Sequence, residues 1–184
     1  MCSSITKIIE SASGPEAYIP APGRLDVRVL TLARTRFHSG PAERAVSAYS
    51  RLGEHGGCWV ALGLAGALLE HDPARRARWL RGVRVVVGSY AANQALKFVI
   101  RRKRPELAGL PALTPTVSRL SFPSAHATTS FAAARAYAGA VPAAPLYVAA
   151  VMFGLSRPYL GVHYPSDVLA GAALGTLIAQ VSHS

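Results

Sequence analysis

The sequence predicts an all-α protein, an integral membrane helical bundle of about five transmembrane helices preceded by an N-terminal amphipathic helical segment. Three observations carry that expectation. The 184 residues are 51% hydrophobic and only 16% charged, where an average soluble domain carries about 25% charged residues. Beyond His55, uncharged apolar runs alternate with compact polar loops. The runs are apolar on nearly every face and rich in small residues (Ala61, Gly63, Ala65, Gly66, Ala172, Ala173, Gly175), which let helices approach closely in lipid. No strand-period alternation and no internal repeat is evident. Runs of this length also fill the cores of soluble helical proteins, and that architecture is the alternative.

The opening residues hold Pro15, Pro20 and Pro22 and no apolar stretch of signal-peptide length, which predicts an unexported chain with a loose leading tail. Cys2 and Cys58 sit in no metal-binding spacing, so neither a disulfide framework nor a structural zinc is expected. Over residues 25–51 apolar positions mix with Arg28, Arg34, Arg36, Arg44 and Arg51, and Gly40-Pro41 divides the stretch. The pattern fits one or two interfacial helices that set Val29, Leu30, Leu32 and Phe37 into the acyl boundary and the arginines among anionic headgroups. A solvated basic linker is the plainer reading. Apolar runs follow at 56–69, 85–96, 122–140, 143–155 and 168–182. Each falls short of the roughly 20 residues of an ideal span, but together they reinforce one another. The chain thus divides into a tail with interfacial helices over 1–54 and a transmembrane domain over 55–184.

Twenty Lys and Arg against nine Asp and Glu give a formal charge of +11. Such a charge attracts nucleic acid, anionic headgroups or a phosphorylated substrate alike. The arginines lie beside apolar helices, with no aromatic interleaving and no recognisable nucleic-acid module, so no nucleic-acid partner is expected.

Polar residues at the ends of the runs form three blocks. In the first, Lys97 precedes Arg104-Pro105; on a helix, positions seven apart share a face, so both cations would meet one anion while Pro105 ends the helix. In the second, Pro123-Ser124-Ala125-His126 opens a helix, whose unpaired N–H groups suit an anion. In the third, Ser156-Arg157 precedes His163 and Asp167, four apart, where a helical turn would bring the carboxylate to one imidazole nitrogen and leave the other available. Three cations, two histidines and a carboxylate, with no candidate metal cage, suit phosphoryl transfer without metal. Taken singly, each residue has a plainer reading: His126 as a hydrogen-bonded residue at a helix start, Lys97 or Arg157 as interfacial anchors. Their complementarity across three blocks favours chemistry.

Lys-x6-Arg-Pro, Pro-Ser-x-His and Ser-Arg-x5-His-x3-Asp, in this order, resemble the three motifs of the type 2 phosphatidic acid phosphatase superfamily, whose site is shared with vanadium haloperoxidases and bacterial class A acid phosphatases. The resemblance covers residues 97–167 directly. It implies that His163 is the nucleophile of a phosphohistidine intermediate, that Asp167 orients it, and that His126 is the general acid and then base. Lys97, Arg104 and Arg157 would hold the phosphate oxygens, with the Ser124 hydroxyl and the Ala125 backbone N–H completing the cradle. The family usually has glycine where this chain has Ala125, which bears on loop shape more than on chemistry. No cofactor and no metal is implied. Arg101, Arg102 and Lys103 fall outside the motif positions and read as interfacial or headgroup-binding charges. His38, His55, His71 and His183 receive no role.

Family members typically have six spans; five here would put the termini on opposite sides of the membrane. Counting charges, the site side holds eleven Lys and Arg besides the three motif cations and the opposite side at most six, so the positive-inside rule points to a cytoplasm-facing site in a bacterial cytoplasmic membrane. A site at the ends of membrane helices implies a phosphate carried on a lipid. Polyprenyl pyrophosphate, phosphatidic acid, phosphatidylglycerophosphate and a polyprenyl-linked phosphosugar all qualify. The Ala/Arg/Gly-rich texture and short length resemble the decaprenylphosphoryl phosphoribose phosphatases of cell-wall precursor synthesis, which makes the phosphosugar the leading candidate. Two other classes stay open: a phospholipid-binding membrane protein with a degenerate site, and a haloperoxidase using bound vanadate.

Overall fold

A computed structural model of the chain describes residues 23–36 and 38–182. Expectations resting on Cys2, Pro15, Pro20, Pro22, Phe37 and His183 lie outside them. Among the described residues the protein is all-helical, with seven α-helices: α1 (Arg24–Thr35), α2 (Gly40–Leu52), α3 (Gly57–Leu69), α4 (Pro73–Ile100), α5 (Ala125–Tyr137), α6 (Ala143–Tyr159) and α7 (Pro165–Val181). A 3-10 turn, Glu54–Gly56, links α2 to α3.

Local chemistry accounts for the boundaries. Ser39 caps α2, its hydroxyl accepting from the Ala42 N–H, and Asp72 caps α4, accepting from the Arg75 N–H at 2.7 Å. Pro41, Pro73 and Pro165 occupy first turns, where a missing N–H costs nothing. The break expected at Gly40-Pro41 therefore falls just before it. The run expected at 85–96 is the middle of a 28-residue helix that begins among Arg75, Arg76, Arg78, Arg81 and Arg84. That helix stops at Ile100, with Arg101 in the left-handed conformation at φ 55°. Lys97 and Arg104 consequently do not share a helix face, and Pro105 is not the terminator. Instead the chain turns back, and residues 102–104 lie alongside 119–121 through the Arg104 N–H to Arg119 carbonyl and Ser121 N–H to Arg102 carbonyl bonds.

The bundle is built around α5, which α4, α6 and α7 surround and whose residues are buried on nearly every face. Its polar side chains are satisfied internally: Trp59 Nε1 donates to Ser130 Oγ at 2.9 Å and Asn93 Nδ2 to Thr128 Oγ1 at 2.9 Å. Backbone contact fixes the α5–α7 approach. A Cβ on Gly175 would stand 2.1 Å from the Thr128 carbonyl oxygen, and one on Gly171 2.5 Å from that of Ser124. This is the small-xxx-small spacing that lets helices touch.

No described helix is long and apolar enough to cross a membrane. At 1.5 Å per residue, α3 and α5, with 13 residues each, reach only about 20 Å, and α4, though longer, is arginine-rich in its first third.

The N-terminal helices pack on α6 and α7. Val29 and Leu32 are exposed, as an interfacial helix requires. Leu30 and Arg34 are not: Leu30 is fully buried, and Arg34 is buried with its guanidinium donating to the carbonyls of Pro111 (2.7 Å) and Tyr159 (3.3 Å). Amphipathicity placed these two residues in lipid and among headgroups; in the folded chain both are buried in protein, and Arg34 ties α1 to the end of α6 and to the 101–124 loop.

Candidate active site

Four helix ends converge at one end of the bundle: the last turns of α4 and α6 and the first turns of α5 and α7. Lys97, His126 and Arg157 project from these turns, and His163 precedes α7. The loop 101–124 folds over them and brings Arg104. One cavity is lined by Lys97, Arg104, Ala125, His126, Arg157 and His163, six of the eight residues expected from sequence. The other two stand behind it: Asp167 is fully buried behind His163, and Ser124 is fully buried with its hydroxyl unpartnered.

The tautomers follow from the partners. Arg104 Nη1 lies 3.1 Å from His163 Nε2, and a guanidinium only donates, so Nε2 carries a lone pair. The ring hydrogen is then on Nδ1, 3.5 Å from Asp167 Oδ2. That separation is within ion-pair reach but long for a hydrogen bond, and Nδ1 makes none. His126 Nε2 lies 2.9 Å from the Ser50 carbonyl oxygen, which only accepts. Nε2 therefore holds the hydrogen, and Nδ1 is left to exchange a proton. Burial first, and then Arg104, Lys97, Arg157 and His126, keep His163 well below the usual histidine range, so it stays neutral. Burial also brings Arg104 down to about 10, still a cation at neutral pH.

Each cation is held by carbonyls or a hydroxyl rather than by a carboxylate. Lys97 Nζ contacts the Leu120 and Ser121 carbonyls at 3.4 and 3.3 Å. Arg104 donates to the Val162 and Ser118 carbonyls at 2.7 and 2.8 Å. Arg157 Nη1 donates to the Ser50 hydroxyl. The positive charge is thus positioned without being neutralised, as an anion site requires.

Several contributors were not legible as such. Ser50, on α2, holds both His126 and Arg157. Arg102, expected at a headgroup surface, is instead buried and bonded to Asp167 and Asp26. His55, given no role, lines the cavity with Glu54, Tyr90 and Gln94, and its Nδ1 lies 2.7 Å from the Tyr90 hydroxyl. Tyr90, Gln94 and Lys97 follow i, i+4, i+7, a helix-face pattern that could have been read from sequence. His38 likewise has partners, Glu43 at 3.0 Å and a stacked Tyr159 ring, but it does not line the cavity.

The chain is similar to several known proteins. The family model described as the PAP2 superfamily matches residues 79–184. A decaprenylphosphoryl-5-phosphoribose phosphatase of Mycolicibacterium smegmatis is 47% identical over 126 residues, 67% of this chain and 68% of the relative. The enzyme of the same description from Mycobacterium tuberculosis is 37% identical over 163 residues, 88% of this chain and 90% of the relative. Among solved structures, a transmembrane PAP2-type phosphatidylglycerolphosphate phosphatase from Bacillus subtilis superposes with a TM-score of 0.70 at 25% identity, covering 86% of this chain and 83% of that one.

Proposed function

The chain belongs to the PAP2 superfamily, and we propose that it is a metal-independent phosphatase of the bacterial cytoplasmic membrane that removes the phosphomonoester from a polyprenyl-linked phosphosugar, of the decaprenylphosphoryl phosphoribose type. The observation that carries the chemistry is the contact between Arg104 and the unprotonated His163 Nε2. It places a nucleophilic lone pair among the cations that would receive the phosphate.

In the first step His163 Nε2 attacks phosphorus in line with the departing oxygen. The P–O bond breaks, its electron pair leaves on oxygen, and His126, which takes up a second proton on Nδ1 as the phosphate dianion enters, passes that proton to the leaving oxygen. Arg104, Lys97 and Arg157 stabilise charge on the equatorial oxygens, and the Ser124 hydroxyl and Ala125 N–H donate as well. Asp167 Oδ2 accepts the Nδ1 hydrogen as the imidazole becomes cationic; the long 3.5 Å contact tightens at that point. In the second step His126 takes a proton from water, water attacks phosphorus, the N–P bond breaks, and inorganic phosphate leaves.

A bilayer setting is supported by exposed apolar side chains around the bundle, including Leu68, Leu69, Phe98, Val99, Val148, Leu155, Leu169 and Val181. In this reading residues 55–184 are the membrane-embedded phosphatase domain with α3–α7 as its five spans, and residues 1–54 are an accessory segment. Apart from α4 the helices are short for a core of about 30 Å, and local thinning of the bilayer accommodates them. The site faces the cytoplasm, although Arg34 and Arg102, counted toward that orientation, are spent on internal partners. A reporter after Ser184 that proves cytoplasmic, with an external N-terminus, would reverse it. The phosphosugar assignment draws on the relatives and on the polar wall of Glu54, His55, Tyr90 and Gln94, which offers hydrogen-bond partners to the hydroxyls of a sugar headgroup. The deciding experiment compares kcat/KM of the pure enzyme for polyprenyl phosphosugar, polyprenyl pyrophosphate, phosphatidic acid and phosphatidylglycerophosphate. A preference of less than tenfold for the phosphosugar would reject that substrate, and no phosphate release from any of the four would reject the enzymatic reading.

A further inference from the structure

Asp26 stands on α1, outside the segment matched by the family model, yet its carboxylate reaches the support of the nucleophile. Its Oδ1 accepts from the Ser166 N–H at 2.9 Å, and its Oδ2 accepts from Arg102 Nη2 at 2.8 Å and from the Ser166 hydroxyl. Arg102 Nη1 in turn donates to Asp167 Oδ1 and to Ser166 Oγ, both at 2.8 Å. The guanidinium also lies 4.4 Å from the centroid of the Tyr164 ring. The side chains of Asp26, Arg102 and Asp167 are 11%, 6% and 0% exposed, so water screens this chain of charges little. Asp167 Oδ2 is left for the Tyr164 N–H, at 2.9 Å, and for His163.

A guanidinium is a rigid planar fork, and bonds to two carboxylates fix its plane. That plane determines which way the Asp167 carboxylate is turned. Without Asp26, the second arm of Arg102 would be buried and unpaired, and the fork would rotate to grip both oxygens of Asp167, drawing Oδ2 off His163. We propose that Asp26 is a positioning residue of the active site: from the N-terminal helix, and through Arg102, it keeps one Asp167 oxygen turned toward His163. The far end of α1 is pinned by Arg34 to the Pro111 and Tyr159 carbonyls, so Asp26 is presented from a helix held at both ends. The inference rests on the phosphohistidine reading for its kinetic consequence but not for its geometry.

The test uses the full chain in detergent with Asp26→Asn, Asp26→Glu and Arg102→Lys. Asp26→Asn should lower kcat about tenfold or more, the scale at which groups that orient a functional side chain act, with KM within about twofold, a lowered but cooperative thermal transition well above the assay temperature, and substantial recovery in Asp26→Glu. Wild-type kcat in Asp26→Asn would overturn the proposal. So would a loss of activity that only tracks a loss of folded protein. Should Asp26→Asn not fold, Arg102→Lys, which keeps the charge and loses the fork, makes the same comparison. A second readout is independent of turnover: in 15N-histidine spectra, the Nδ1–H signal identified by its loss in His163→Ala should shift in Asp26→Asn, and an unchanged signal would also overturn the proposal. A wild-type chain that releases no phosphate would sink the phosphatase reading, and the His163 signal would still judge this one.

Discussion

The two ends of α4 are both crowded with cations that meet opposite fates. At its start Arg75, Arg76, Arg78, Arg81 and Arg84 are all exposed. At its finish Lys97 is buried, and just beyond it Arg102 is buried and Arg104 half-buried, each held by carbonyls, a neighbouring helix or a carboxylate. The residue types hardly differ. An exposed arginine interacts with whatever anion passes and contributes little to structure. A buried one must be oriented by its surroundings, and orientation converts charge into chemistry.

Breaking the buried set should give the largest effects. His163→Ala removes the nucleophile and should lower kcat by about 10⁴-fold or more, measured as phosphate release at saturating lipid. Ser50→Ala leaves the backbone carbonyl on His126 but strips Arg157 of its hydroxyl partner; about a tenfold fall in kcat/KM is expected, without loss of fold. Arg104→Gln tests the electrostatics directly. Burial and then Arg104 hold the His163 pKa down, so His163 binds its proton only well below 6.5. Neutralising residue 104 should raise that pKa toward the ordinary value, seen by NMR titration of the imidazole, and a pKa that stayed put would remove Arg104 from the account. Tyr90→Phe should raise KM a few-fold while sparing kcat, because it trims the polar wall rather than the reacting groups. At the exposed end, the pair Arg76→Ala and Arg78→Ala should leave the thermal midpoint in detergent close to wild type and kcat within about twofold.

The same contrast explains what was legible in the sequence. Lys97, Arg104, His126, Arg157 and His163 stood out because each lies in, or within a few residues of, a terminal turn of a helix, and the fold does bring all five to one cavity. The apolar runs foretold α3, α5, α6 and α7 because burial and composition go together in a tight bundle. Partnership between distant residues was not legible. Arg102 looked like its neighbours Arg101 and Lys103, and only the backward turn after the left-handed Arg101 sends it inward. Asp26 and Ser50 carry no motif, and their importance lies in contacts with residues 76 to 140 positions away. The N-terminal helices read as amphipathic because they are, but periodicity cannot say whether a buried face meets lipid or protein. For Leu30 and Arg34 it meets protein.

The absence of side chains at Gly171 and Gly175 reaches further than helix packing. His126 begins one of the two touching helices, and Asp167 begins the other. The distance between proton donor and nucleophile is thus gauged by bare main chain against main chain, with no compressible atoms between. A single methyl group at position 175, about a dozen residues from any reacting atom in sequence, would act as a wedge and be felt first as lost catalysis.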